Sequence, residues 1–174
     1  MMLLNSSDFC NFFINWIPSP RLRKYVYRIL GMKIHPTAHI MRNCIFLDIK
    51  KIMIKERSII GHNCLLDGRG FLYIGRDVNI SSFTKIITAT HLVDDPQFRG
   101  KALPVIIEDN VWIATSSIIL PGVRIKKGAV VGAGSVVTKD VEEFCVVAGV
   151  PARIIKKRNP HLNYQLHSKP SRFL

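Results

Sequence analysis

The sequence is short of acid. Among 174 residues, 25 lysines and arginines stand against 12 aspartates and glutamates, a formal charge of +13. A surplus of that size calls for an anionic partner: a nucleic acid, a membrane surface, an acidic glycan or a phosphorylated ligand. Nucleic acid is set aside, because there is no RNP-like aromatic motif and much of the charge sits at the two ends. No apolar run reaches the roughly 20 residues of a membrane-spanning helix. Residues 1–20 lack a basic start and a small-residue cleavage site, which speaks against a secretory leader. No CxxC spacing joins Cys10, Cys44, Cys64 and Cys145. Neither a disulfide framework nor a zinc site is therefore expected, and the thiols read as buried and reduced, in the cytoplasm. A GxSxG elbow and a Ser-His-Asp arrangement are also missing.

What is present is a period of six. Aliphatic residues recur at Ile107, Ile113, Ile119, Ile125, Val131 and Val137. Four places after each stands a mostly small or β-branched residue: Val111, Ser117, Val123, Ala129, Ser135 and Val141. Six is neither the 3.6 of a helix nor the alternation of a strand. It fits a coil of three short faces, each sending one side chain to a common axis, and hexapeptide periods belong to parallel β-helices. Earlier triples, Ile34/Ile40/Phe46, Ile54/Ile60/Leu66 and Ile74/Ile80/Ile86, extend the pattern back to residue 34.

Coil starts at 34, 54 and 74 are 20 apart, against 18 for the step from 107 to 125, so the first two coils carry two extra residues each. The step from 74 to 107 carries 15 extra, assigned to a protruding loop over residues 91–104. Insertions in repeat proteins gather on one face, often the binding face. The expected class is all-β: a parallel β-helix of about five coils over residues 34–147. An amphipathic, helical N-terminal segment (1–33) precedes it, and a basic C-terminal segment and tail (148–174) follow, the tail packing on a neighbour or staying mobile.

In residues 1–18, Phe9, Phe12, Phe13, Ile14, Trp16 and Ile17 crowd together; then Ser19-Pro20 reads as a helix start, with Leu22, Tyr25, Val26, Ile29 and Leu30 at helical spacing and Gly31 as the stop. Arg21, Arg23, Lys24 and Arg28 share that helix. Two readings stand together. Residues 1–30 cap the open end of the β-helix, or they touch an anionic membrane, the aromatics in the headgroup zone.

The carrying motifs are Thr90-His91, Pro104-Val105-Ile106-Ile107, Asn110-Val111-Trp112-Ile113, Ile119-Leu120-Pro121-Gly122-Val123, the run from Gly132 to Asp140, and Ala148-Gly149-Val150-Pro151-Ala152. On these, the chain resembles the hexapeptide-repeat acyltransferases with a left-handed parallel β-helix, in the galactoside, maltose and polysaccharide O-acetyltransferase branch. The resemblance is dense over residues 74–158 and looser over 34–73. It implies the left hand of the coil and a homotrimer with acetyl-CoA, the acyl donor, in the groove between neighbouring β-helices. No metal is implied.

His91, at the start of the one long insertion, matches the family's catalytic histidine, a general base for an acceptor hydroxyl. Trp112, Thr115, Ala133, Thr138, Arg153 and Lys156 match the positions that line the donor. Asp67, at a corner one coil earlier, is a candidate for holding a sugar, and Arg99 in the loop for meeting an acidic substrate. Asp94 and Asp95 are candidates for orienting the imidazole. The sequence departs from the pattern at Thr115, where serine is frequent, at Ala114, where glycine is usual, and at Lys126-Lys127, where Gly-Asp is usual. The N-terminus does not resemble the sugar-binding helical segment of the galactoside and maltose enzymes. It looks more like enzymes of capsule, exopolysaccharide or lipopolysaccharide assembly, which meet lipid-linked sugars at the inner face of the membrane.

The expected function is therefore acetyl-CoA-dependent O-acetyl transfer to a sugar hydroxyl in surface polysaccharide biosynthesis, in the cytoplasm or at the inner membrane face. The alternative acceptor is a small xenobiotic or a free sugar. A non-catalytic β-helical scaffold and a zinc lyase on the same coil are the rivals from other classes. The zinc lyase needs three converging histidines, whereas residues 62–104 offer only His62 and His91.

Overall fold

The computed structural model describes residues 11–166. Its frame is a three-sided parallel β-helix. The first face stacks Lys33–Ile34, Ile52–Ile54, Leu72–Ile74, Val105–Ile107 and Arg124–Ile125. The second stacks His39–Ile40, Ile59–Ile60, Asn79–Ile80, Trp112–Ile113, Val130–Val131 and Cys145–Gly149. The third stacks Ile45–Leu47, Leu65–Asp67, Lys85–Ile86, Ile118–Ile119 and Val136–Val137. Five complete coils result, and Val141, bridged to Ile125, begins a sixth that runs on through the second face. The sequence count of about five stops one partial turn short, because the sixth coil has no third face to complete the period.

The six-residue pattern dictates this stack. Every residue of the aliphatic series from Ile34 to Val137 points to the axis and is at most 5% exposed. Burial on that scale is worth about 1.5–3 kcal/mol per large aliphatic side chain. Backbone N–H and C=O groups pair between neighbouring coils along each face, as buried ladder groups must. At the fourth place, Ser58, Thr84, Ser117 and Ser135 are buried although polar. Their hydroxyls stitch coils together: Ser58 Oγ donates to the Gly75 carbonyl at 2.6 Å and accepts from Val78 N–H at 3.0 Å, and Ser117 Oγ lies 2.9 Å from the Gly132 carbonyl.

Two of the three corners turn alike: between the first and second faces, Arg57, Asp77, Asn110 and Gly128 hold φ of 54–68°. Between the second and third faces, Asn43, Asn63, Phe83 and Ser116 hold φ near 60°, and Gly134 continues the column at 67°. Left-handed backbone costs an ordinary residue about 1–2 kcal/mol, and the sharp turn requires it in each coil. All length variation lies instead between the third and first faces. There the first coil inserts a short 3₁₀ turn, Ile49–Lys51, and the third coil throws out an antiparallel hairpin, Ala89–His91 against Gly100–Ala102.

The open end of the coil is closed by the N-terminal segment. Helix α1, Pro20–Ile29, starts at Ser19, whose Oγ accepts from Leu22 N–H at 3.4 Å. Its inward side chains are Arg23 and Tyr27, both essentially buried. Arg23 donates to the carbonyls of Ile17 (2.7 Å), Pro18 (3.2 Å) and Ile40 (3.4 Å), and Tyr27 packs edge-on to Phe46. Ahead of α1, the Asn11 amide takes both the N–H (2.8 Å) and the C=O (2.9 Å) of Phe46, and Asn15 does the same for Asn43 N–H and the Cys44 carbonyl. Capping is therefore what residues 11–30 do in the fold. The part of the expected cap before Asn11 lies outside the described residues.

At the other end, Ala152–Lys157 folds back antiparallel on Cys145–Gly149. The tail then packs on its own coils: Arg158 reaches the carbonyls of Asn110 and Gly128 at 3.2 Å, Tyr164 Oη donates to the Asn110 carbonyl, and Leu166 N–H donates to Asp77. Up to residue 166 it rests on its own chain, through a buried acid and free carbonyls that a composition-based reading does not see.

Candidate functional site

The hairpin between the third and first faces is held at its base by three side chains. Asp67 is fully buried; it accepts from Thr88 N–H at 2.9 Å, from Arg69 N–H at 3.0 Å, and from the Arg69 guanidinium through two contacts of 3.0 Å. Thr88 Oγ1 in turn accepts from Gly70 N–H at 2.8 Å. Gly70 is required here, since a Cβ would lie 2.5 Å from the Thr88 carbonyl and 2.6 Å from that of Leu103. Burial alone would raise the Asp67 pKa; Arg69 and the two N–H donors outweigh it and hold the carboxyl below its ordinary value. Asp67, expected to hold a sugar, has its carboxylate committed within the chain. Its place in the site is beneath the hairpin.

His91 ends the first strand of that hairpin and is exposed. Its Nδ1 lies 2.8 Å from the Phe98 carbonyl, and its ring stacks on the Phe98 ring with centroids 4.1 Å apart and planes 6° from parallel. A carbonyl only accepts, so Nδ1 carries the proton. Nε2 of the neutral ring is then left with its lone pair directed away from that contact. The tip of the hairpin is shaped by Asp95. Its carboxylate accepts from Gln97 N–H (3.0 Å), Arg99 N–H (3.2 Å) and Arg99 Nε (2.5 Å). The Arg99 guanidinium and then the backbone donors hold its pKa below the ordinary carboxylate value. Asp95 therefore does not touch the imidazole. It fixes the turn that presents the Phe98 carbonyl, and Arg99 is paired with it, the rest of its side chain exposed.

Phe98 was not singled out from the sequence. The Asp95-Pro96 pair was a signal for the turn, but nothing in the spacing shows a phenylalanine lying flat on the histidine.

The other expected residues fall into two places. Thr138 is exposed at the corner between third and first faces, the hairpin's own corner, two coils on. Thr115 and Ala133 stack at the corner between second and third faces, where Gly134 N–H donates to the Thr115 carbonyl at 2.9 Å. Trp112 projects from the second face with Nε1 donating to Ser81 Oγ at 3.2 Å. Arg153 and Lys156 are exposed on the strand that extends that face. In a three-sided coil the second face is opposite the third-to-first corner. One chain therefore holds His91 on one side and most of the donor candidates on the other.

Among the described residues, no group of three or more His, Cys, Asp or Glu side chains is arranged to hold a metal ion. Among the same residues, no helix is long and apolar enough to cross a membrane.

Comparison with known proteins bears on this geometry. The bacterial transferase hexapeptide description (six repeats) matches residues 104–139, the regular coils after the hairpin. Over those 36 residues the chain is similar to hexapeptide-repeat transferases. Its three-dimensional likeness to a hexapeptide-repeat acetyltransferase of Vibrio cholerae, solved with acetyl-CoA, covers 90% of this chain and 87% of the other, with a TM-score of 0.81 and 27% identity. The galactoside O-acetyltransferase of Lactococcus lactis is 41% identical over 92 residues, 51% of this chain and 44% of that protein. A chloramphenicol acetyltransferase of Klebsiella aerogenes is 34% identical over 110 residues, 59% of this chain and 52% of that protein. The chain thus spans about half the length of the curated relatives it matches.

Proposed function

We propose that this hexapeptide protein is an acetyl-CoA-dependent O-acetyltransferase that modifies a sugar hydroxyl of a surface polysaccharide or its precursor. It works as a homotrimer in the cytoplasm or at the inner face of the membrane, with His91 as general base. The observation that carries the proposal is the His91–Phe98 contact. With Nδ1–H tied to a carbonyl, Nε2 presents its lone pair on the hairpin edge, where it can take a proton from an acceptor hydroxyl. As that oxygen attacks, the ring becomes imidazolium. Nδ1 keeps its acceptor, and the stacked Phe98 face favours the cation. Nε2 then returns the proton to the departing thiolate, and no acyl-enzyme is needed.

Bound acetyl-CoA would supply the activated acyl carbon. The residues present fit such a donor. Thr115 and Ala133 leave a corner of small side chains and accessible backbone, while Arg153 and Lys156 offer charge to phosphates. Trp112 would lie near the thioester end, and Thr138 beside the hairpin. Because His91 and all of these residues except Thr138 lie on different sides of one coil, a shared site forms where the hairpin edge of one copy meets the second face of the next. Asp67 enters as the anchor of the hairpin base, and Arg99 as a rim charge toward an acidic glycan.

A sugar acceptor draws support from the galactoside O-acetyltransferase likeness. A small xenobiotic acceptor is the second reading, favoured by the chloramphenicol acetyltransferase likeness. Release of free CoA from acetyl-CoA, measured against a panel of sugars, glycan fragments and chloramphenicol, separates the two. His91→Ala should cut turnover on the order of 10²-fold or more while leaving the urea-unfolding midpoint in place, since the side chain is exposed. Undiminished turnover in that variant would remove His91 as the base. A monomer in light scattering would remove the shared site.

A further inference from the structure

We propose that the outer surface of the N-terminal cap is a docking surface for an anionic lipid membrane. The cap is apolar on both sides. A helix lying on a core normally turns its apolar stripe inward. Here α1 packs Arg23, Val26, Tyr27 and Leu30 inward and still leaves a second apolar stripe, Leu22, Tyr25 and Ile29, outward and 50–65% exposed. Spacings of three and four put those three on one stripe. Ahead of the helix, Phe12 is 71% and Trp16 85% exposed. Met41 and Ile45, on the adjoining first coil, are exposed as well. Apolar exposure this concentrated marks an interaction site.

Charge decides the occupant. No aspartate or glutamate stands between Asp8 and Asp48, while Arg21, Arg23, Lys24, Arg28, Lys33 and Arg42 all do. Arg21 and Arg28 are exposed on the same helix as the stripe, and Lys33 and Arg42 are exposed nearby. Lys24 donates to the carbonyls of Pro36 and Ala38. Burial, then Arg28 and Arg21, lower its pKa, as expected in a positive field that no local acid offsets. A second copy of the cap would bring like charge against like charge. Aromatic and aliphatic side chains ringed by arginine and lysine suit anionic headgroups over an acyl boundary. Helix α1 is about 15 Å long at 1.5 Å per residue, fit to lie in the interface and too short to cross it. In the trimer proposed above, threefold symmetry sets three caps at one height along the axis, so one flat surface engages all three. The docking itself does not rest on the chemistry of His91.

The test is co-sedimentation of the full chain with vesicles of phosphatidylcholine alone and of phosphatidylcholine mixed with phosphatidylglycerol. Deleting the segment would strip Asn11 and Asn15 from the coil edge, so exposed point changes are used. Binding is expected on the mixed vesicles, weakening with salt. Arg21→Glu/Arg28→Glu and Trp16→Ser/Leu22→Ser should each reduce it on the order of tenfold. Tryptophan emission should shift to the blue on binding, and the shift should vanish in Trp16→Phe but persist in Trp112→Phe. His91→Ala should bind as the native chain does, which separates this test from the acetyl-transfer reading. No sedimentation with mixed vesicles, equal binding by the charge-reversed variant, or cap-dependent self-association without lipid would each overturn the proposal.

Discussion

The corner between the second and third faces and the corner between the third and first faces are built from the same repeat, yet only the latter changes length. At the former, every coil turns through one left-handed residue, from Asn43 to Gly134, and nothing is inserted. At the latter, the first coil adds a 3₁₀ turn and the third adds a whole hairpin. The constant edge is held by backbone and by buried hydroxyls such as Ser117. The variable edge is held by side chains particular to one coil: Asp67, Arg69, Gly70 and Thr88. A repeat can thus keep one edge uniform, suited to a long ligand that reads backbone, and spend its sequence variation on another, suited to one specific reactive group.

Breaking the variable edge should cost most. Asp67→Ala removes a buried carboxylate that ties Arg69 and Thr88 together. Discounted for the half-exposed Arg69, a loss of about 2 kcal/mol in urea unfolding is expected, with turnover falling as the hairpin loosens. The same pair has a pH signature. The Asp67 pKa is held below its ordinary 3.8, so its stabilisation is complete above that value and is lost as pH falls through and below it. Asp67→Asn should be flat in that window, and a parallel fall in both proteins would show that other carboxylates dominate.

Breaking the constant edge at one coil should cost less. Ser117→Ala removes one stitch to the Gly132 carbonyl, about 1 kcal/mol by the same unfolding measurement. The smallest effect sharpens the comparison. Ser116→Gly relieves left-handed backbone but frees the unfolded chain, for a net gain below about 1 kcal/mol. A clear loss there would mean that the corner column is unstrained.

Much of this was legible. Period six gave the faces, the axis residues and the corner that is lengthened, because one side chain per face must reach the axis. Ser19-Pro20 gave the start of α1, and the long insertion pointed to His91. Other features were not legible, for physical reasons. The hairpin's inner pairs, Ala89/Ala102 and Thr90/Lys101, have no strong strand pattern. Asp67 followed by glycine reads as a turn residue until Arg69, two places on, is seen folded over it. Apolar residues on α1 occupy two stripes, Val26/Leu30 and Leu22/Tyr25/Ile29, and period alone does not say which is covered. Arg23 settles that by tying the Ile17 and Pro18 carbonyls, ahead of the helix, to the Ile40 carbonyl of the first coil, a demand visible only once the coil exists.

The pair of asparagine amides at that end has one more consequence. A stack of parallel coils ends in a row of open N–H and C=O groups, and such a row is a template on which another chain can continue the sheet. Asn11 and Asn15 occupy its third-face part with side-chain amides that accept and donate in place of a strand. Two side chains thereby close the Asn43–Phe46 edge of the first coil to a further strand.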